Sequence, residues 1–285
     1  MIDRRWKRFP LPGLAITAFL PLMWGVVHAN ETTDQVLIVA AQIGKVDVVT
    51  RLLAEGADIE RTDQTGRTVL EVATEYGQTG VVKILLAAGA NPNAGTGNRK
   101  TALHIAAASG KTDIAKALLG AGARVNAADE DGNEPLHIAV AIPTNGEIVK
   151  DLLGAGAKVD VTNNDGMQPI HLAARSAGVS TVRTLLASGA KSDAVDLHGL
   201  RPLHLVAQGG AQRLKAARAF ANGGHNLTKV LYGWEYTMVV NVLLASGASL
   251  DMEDKNGKRP IDYASEGGFS EMVDLLLAAG ATPPR

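Results

Sequence analysis

Four histidines, His104, His137, His171 and His204, lie 33, 34 and 33 residues apart. Imidazoles in register raise the question of a shared metal, because neutral imidazole is a common metal ligand. The spacing argues against it. Successive units of a repeating chain stand about one helix diameter apart, roughly 8–10 Å. A zinc–nitrogen bond is about 2 Å long, so one ion does not bridge two such donors. Each imidazole is therefore read as structural, tying a loop to the helix beside it by hydrogen bonds. Ser109-Gly110-Lys111-Thr112 resembles the end of a phosphate-binding loop, but Ile105 stands where that loop needs its first glycine, and a helix precedes it instead of a strand. Glu130, Asp131 and Glu134 cluster on one loop and are read as a solvated acidic tip. The chain has no cysteine and hence no disulfide, thiolate ligand or thiol nucleophile. No G-x-S-x-G or H-E-x-x-H constellation occurs. No catalytic, cofactor or metal residue is assigned, and the chain is not expected to be an enzyme.

The elements that hold these residues repeat. Gly-Ala returns at Gly56-Ala57, Gly89-Ala90, Gly122-Ala123, Gly156-Ala157, Gly189-Ala190, Gly247-Ala248 and Gly280-Ala281. The steps are 33, 33, 34, 33, 58 and 33 residues. Such a period means a stacked array. In Asn133–Gly154, Pro135 suits a first helical turn, and Leu136, Ala139 and Val140 recur at helical spacing. Asn145-Gly146 breaks the chain. Ile148, Val149, Leu152 and Leu153 then give a second helix one apolar stripe, and Gly156 closes it. One such pair cannot bury its apolar side alone, so neighbours must stack.

Thr101-Ala102-Leu103-His104-Ile105-Ala106, Glu134-Pro135-Leu136-His137-Ile138-Ala139, Gln168-Pro169-Ile170-His171-Leu172-Ala173 and Arg201-Pro202-Leu203-His204-Leu205-Val206 stand at one place in successive units. This pattern resembles the T-P-L-H-x-A signature of the ankyrin repeat family. The resemblance covers about Thr33 to Thr282. It implies an all-α repeat solenoid of about six to seven units including caps, each a helix, a turn, a second helix and a β-hairpin-like finger. Residues 30–60 read as an N-terminal capping helix pair without a finger, and 61–285 as the repeats. Two units depart from the pattern, with Glu71 and Asp262 in the histidine place.

The first residues are of another kind. Arg4, Arg5, Lys7 and Arg8 precede the uncharged run Leu11–Val27, which ends in Val27-His28-Ala29. Residues 1–29 are read as a secretory signal cut after Ala29, which places the mature protein in the periplasm or outside the cell. A membrane-tethered scaffold, with the segment uncleaved, is the alternative. Net charge is −1, or −4 once residues 1–29 are gone, which argues against nucleic acid as a partner.

A helical insertion of about 211–234 breaks the period, and it is placed at the turn between the two helices of its unit. Residues 211–236 carry Arg213, Lys215, Arg218 and Lys229 against Glu235, together with Phe220, Tyr232, Trp234 and Tyr236. The insertion is read either as a binding element or as an extra packed helix, and a pocket built by it is the remaining route to an enzyme. The family resemblance implies that a partner touches the finger tips. Those are Gln64, Thr65 and Arg67; Asn98, Arg99 and Lys100; Glu130, Asp131 and Asn133; Asn164, Asp165 and Met167; Leu197, His198 and Leu200; and Lys255, Asn256 and Lys258. With Arg218, Phe220, Tyr232 and Trp234 these form the expected contact set. The expected function is a monomeric module that binds, shields or regulates another exported protein, without a cofactor.

Overall fold

A computed structural model of the chain describes residues 33–95, 97–221 and 234–284. The expected signal segment, Tyr232 and the side chains of Arg218 and Phe220 lie outside the described residues.

Among the described residues seven helix pairs stack in one direction. Residues 33–42 form α1. The others are α2 (Val46–Ala54), α3 (Val69–Glu75), α4 (Thr79–Ala87), α5 (Ala102–Ala108), α6 (Thr112–Gly120), α7 (Pro135–Val140), α8 (Gly146–Gly154), α9 (Pro169–Arg175), α10 (Val179–Ala187), α11 (Pro202–Ala221), α12 (Trp234–Ala245), α13 (Pro260–Glu266) and α14 (Ser270–Ala278). The first helices α3, α5, α7, α9 and α13 are short, six or seven residues, because Pro or Thr chemistry starts each and a turn residue ends it about two turns later. Pro135, Pro169 and Pro260 occupy first-turn positions, where a missing N–H costs nothing.

The packing makes two layers. In the inner one α3 packs on α5, α5 on α7, α7 on α9, α9 on α11, and α11 on α13; in the outer one α2, α4, α6, α8, α10, α12 and α14 follow in sequence. Alanines make the inner layer close: Ala106, Ala139, Ala173 and Ala264 are fully covered. The outer layer supplies Leu85, Leu118, Leu152, Leu185, Leu243 and Leu276, all fully buried. These join one apolar cluster running from Leu37 to Ala281. Gly156 shows how a second helix ends. It takes φ +92°, and the next amide, that of Ala157, turns back to the carbonyl of Leu152 at 2.9 Å.

The fingers differ from the hairpins that the resemblance implies. Among the described residues the only bridges are Thr62 with Thr68 and Gly95 with Thr101. Five of the fingers are closed by an aspartate or asparagine, as described below. The expected N-terminal cap also has an apolar outside: Val36, Val39 and Ile43 are exposed. Glu266, Glu271 and Asp274 are exposed in the last pair.

The insertion begins differently from the expected turn. Gly210 stands where Gly110 ends α5, yet α11 runs unbroken for 20 residues to Ala221. Gly110 has φ +65°, whereas Gly209 and Gly210 are helical. They serve close packing. A Cβ on Gly209 would lie 2.3 Å from the carbonyl oxygen of Arg175, and one on Gly210 would lie 2.4 Å from the ring of Phe269. Tyr236 fills the adjoining space, edge-on to Phe269 with ring centroids 6.4 Å apart. Ala211 is buried and Leu214 packs against the core. The start of the insertion is thus part of the stack. Gly209→Ala should force α11 off α9 and lower stability by about 1–3 kcal/mol, the usual cost of overpacking. A thermal melt checks this, and an unchanged melting temperature would show that the helices have room to spare.

Candidate functional site

The four histidines do the same work in each unit. The backbone amide of the residue before each first helix donates to histidine Nδ1: Thr101 to His104 at 3.1 Å, Glu134 to His137 at 3.1 Å, Gln168 to His171 at 3.0 Å and Arg201 to His204 at 3.2 Å. With Nδ1 accepting, Nε2 carries the proton. It donates to a carbonyl of the following finger: Asn133 at 3.1 Å, Met167 at 3.1 Å, Ala194 at 3.0 Å and Lys258 at 3.2 Å. One ring therefore caps a helix and fastens it to the next unit. In the last pair Asp262 accepts from the Arg259 amide at 2.9 Å, and the Arg259 guanidinium, in place of a ring nitrogen, donates to the carbonyls of Thr282 and Pro283. Glu71 does the capping part for α3, accepting from Thr68 at 2.8 Å.

A second set of residues, which the sequence reading passed over, shapes the fingers. Oδ1 of Asp63, Asp129, Asn163, Asp196 and Asp254 accepts amides two and four residues on. This is the Asx-turn chemistry that bends a chain without a strand ladder. The signal was present, since Asp129, Asn163 and Asp196 recur at 34 and 33 residues. At Asp63 burial alone raises the pKa, but hydrogen bonds from Thr65 and Arg67 outweigh it and hold the carboxyl at about 2.

The tips themselves are linked in a row. The amide of Glu130 donates to the carbonyl of Asn98 at 3.1 Å, Asn164 to Asp131 at 3.0 Å, Leu197 to Asp165 at 3.1 Å, and Lys255 to His198 at 3.0 Å. Gln64, Thr65, Asn98, Arg99, Glu130, Asp131, Asn164, Asp165, Leu197, His198, Lys255 and Asn256 are exposed. The row runs from cationic at Arg99 through acidic at Glu130, Asp131 and Asp165, past Leu197, to cationic at Lys255.

Several expected contacts are placed otherwise. Leu200 is a correction: it is buried, because its amide is drawn to Asp196 and its side chain turns under the finger. Arg67 is half-buried and paired with Asp63 at 2.6 Å and with Glu75. Asn133 and Met167 are half-buried and lend their carbonyls to the histidines. Lys100 is half-buried. Lys258 holds Glu266 at 2.7 Å and lies over the Tyr263 ring. Trp234 opens α12 and is 57% exposed. A shallow groove of about 500 Å³ lies beside the start of the insertion, lined by Leu172, Arg175, Gln212, Arg213 and Tyr236. It holds no nucleophile–base pair and no set of metal ligands. Among the described residues no group of three His, Asp or Glu side chains is close enough to hold an ion.

These features can be set against known proteins. The model described as "Ankyrin repeats (3 copies)" matches residues 17–96 and 136–230, and "Ankyrin repeats (many copies)" matches 103–153. The chain belongs to the ankyrin repeat family. Over 49 residues it is 47% identical to the ankyrin repeat protein YahD of Escherichia coli (strain K12), a match covering 17% of this chain and 24% of that protein. The chain therefore spans less than a quarter of that relative's length. The crystal structure of the ankyrin repeat domain of Bcl-3, titled a unique member of the IkappaB protein family, matches with a TM-score of 0.64 and 25% identity. That match covers 85% of this chain and 97% of the Bcl-3 chain. Ankyrin repeats are generally non-catalytic modules that bind other proteins.

The imidazoles predict a pH dependence for this ankyrin array. Burial is the largest influence on all four, and it lowers each pKa below 6.5. Folding thus selects the neutral ring. Between the folded and unfolded pKa values the unfolded chain binds more protons, so stability is whole above pH 6.5 and is lost as pH falls through that window. Urea unfolding midpoints should fall steadily from pH 7.5 to pH 5. His137→Ala strands the Glu134 amide and the Met167 carbonyl. It should cost about 1–3 kcal/mol at pH 7.5 and flatten part of the pH dependence. An equally steep dependence in that variant would put its source elsewhere.

Proposed function

We propose that this array is exported and binds another exported protein along its row of finger tips. The observation that carries the reading is the chain of tip-to-tip backbone hydrogen bonds from Asn98 to Lys255. It holds an exposed surface of mixed charge in one conformation before any partner arrives, which limits the ordering cost of binding. Leu197, 58% exposed in the middle of that row, supplies an apolar anchor. Export is supported by the basic head, the apolar run Leu11–Val27 and the Val27-His28-Ala29 end.

Two measurements test the two halves. Leu197→Glu with Asp131→Lys should leave the melting temperature within about 2 °C and lower capture of the native partner by about tenfold or more. Lys150→Glu, on the opposite face, should leave capture intact. Equal capture by all three proteins would remove the finger row from the interface. The intact mass of the exported protein should correspond to a chain beginning at Asn30. A chain beginning at Met1 and held in membranes would support the tethered alternative.

A further inference from the structure

One finger breaks the backbone rule of the others. Gly66, Gly132, Gly166, Gly199 and Gly257 stand at the same place in five fingers, all with positive φ between +72° and +82°. In the second finger that place holds Arg99, at φ +59°. A side chain is disfavoured there, and glycine is the residue the position selects. Ala177 also has positive φ, but it is a buried alanine at a helix turn, where the small side chain joins the core. Arg99 is exposed, so no packing explains it. A non-glycine residue held in the left-handed region is a reason to ask what its side chain does.

Its surroundings answer in part. Arg99 lines a hollow of about 530 Å³ between the second finger and the next unit, together with Asn93, Gly95, Thr101, Arg124, Asn126, Ala127 and Ala128. Arg124 is the second guanidinium on that wall, and no carboxylate lines the hollow. Among the described residues neither arginine makes an ion pair. The wall is stiff. Asn93 accepts the Arg124 amide at 2.7 Å and donates to the Gly122 carbonyl at 3.2 Å, while Asn126 accepts the Lys158 amide at 3.1 Å. Two unpaired guanidiniums over a polar hollow on a net-acidic chain match a carboxylate, which a planar fork of N–H donors binds in a bidentate manner.

We propose that Arg99 and Arg124 form a carboxylate site that receives an Asp or Glu side chain, or a C-terminal carboxylate, of the protein partner. This rests on the finger-row reading and specifies its cationic end. The αL conformation at Arg99 is retained because glycine, easier for the backbone, would lose the donor.

The test uses the full chain and a fluorescein-labelled peptide of alternating aspartate and glycine, read by fluorescence anisotropy, with the asparagine version as control. The aspartate peptide should bind at least about tenfold more tightly than its control. Arg99→Gly should raise the melting temperature, since it relieves the backbone, and weaken the aspartate peptide by about tenfold. Arg99→Lys should recover part of the affinity, and Arg124→Gln should weaken binding without the gain in stability. Lys150→Gln, with the same change of charge on the far side, should bind normally. Arg99→Gly binding the peptide as well as the parent, or melting lower than the parent, would overturn the proposal. So would inorganic phosphate displacing the peptide at equal concentration. Capture of the native partner by Leu197→Glu is read separately, so loss of the carboxylate site and loss of the finger row are distinguishable.

Discussion

A short helix pair with one apolar side has no folded existence by itself, and in this protein the link that lets pairs stack in register is a neutral imidazole with both nitrogens used. Nδ1 accepts the amide that begins a helix, and Nε2 reaches a carbonyl of the next finger. The first bond is local, three residues apart, and depends only on the capping geometry. The second spans a whole unit. If the ring is charged, Nδ1 becomes a donor facing a donor, and the cap is lost. Nε2 donates in either state, so protonation loosens the cap and not the joint, and burial, which disfavours the charged ring, lowers the pKa at all four sites.

The stack in turn positions the fingers. The last four fingers each hang between a histidine of the preceding unit and an Asx turn within, so their tips have little freedom. The amide of one tip meets a carbonyl of the tip before it, and five fingers become one surface. This is how an array without strands among its described residues still presents a firm edge. Affinity for a partner on such an edge comes from a few side chains, because the backbone is already ordered. Arg99 and Leu197 stand out on it for different physical reasons. The first occupies a conformation that glycine prefers, and the second leaves an apolar side chain in water. Neither helps the fold.

The irregular unit shows the same constraint from the other side. The insertion does not hang from a turn. It lengthens α11, and Gly209 and Gly210 let that helix approach Arg175 and Phe269 where any Cβ would collide. Tyr236 closes the gap that the missing side chains leave. A position that reads as punctuation in one unit is a packing contact in another, since glycine serves both purposes and only the neighbours decide between them.

Period, helix pairs and the histidine register were legible in the sequence because each follows from local spacing: an apolar stripe at helical intervals, proline in the first turn, Gly-Ala after the second helix. Asp129, Asn163 and Asp196 carried an equally regular signal for the finger turns. The burial of Leu200 was not legible, since the same Asx turn that exposes Leu197 folds a residue three places on beneath it. Nor was the left-handed backbone of Arg99, which becomes visible only when five other fingers place glycine at that point in space. Sequence by itself determined the repeating unit, because local propensity and apolar spacing act within some thirty residues. Which tips face outward, which guanidiniums stay unpaired and which glycines are contacts was decided by tertiary structure, because those properties belong to the gaps between units, and a gap has residues from two of them.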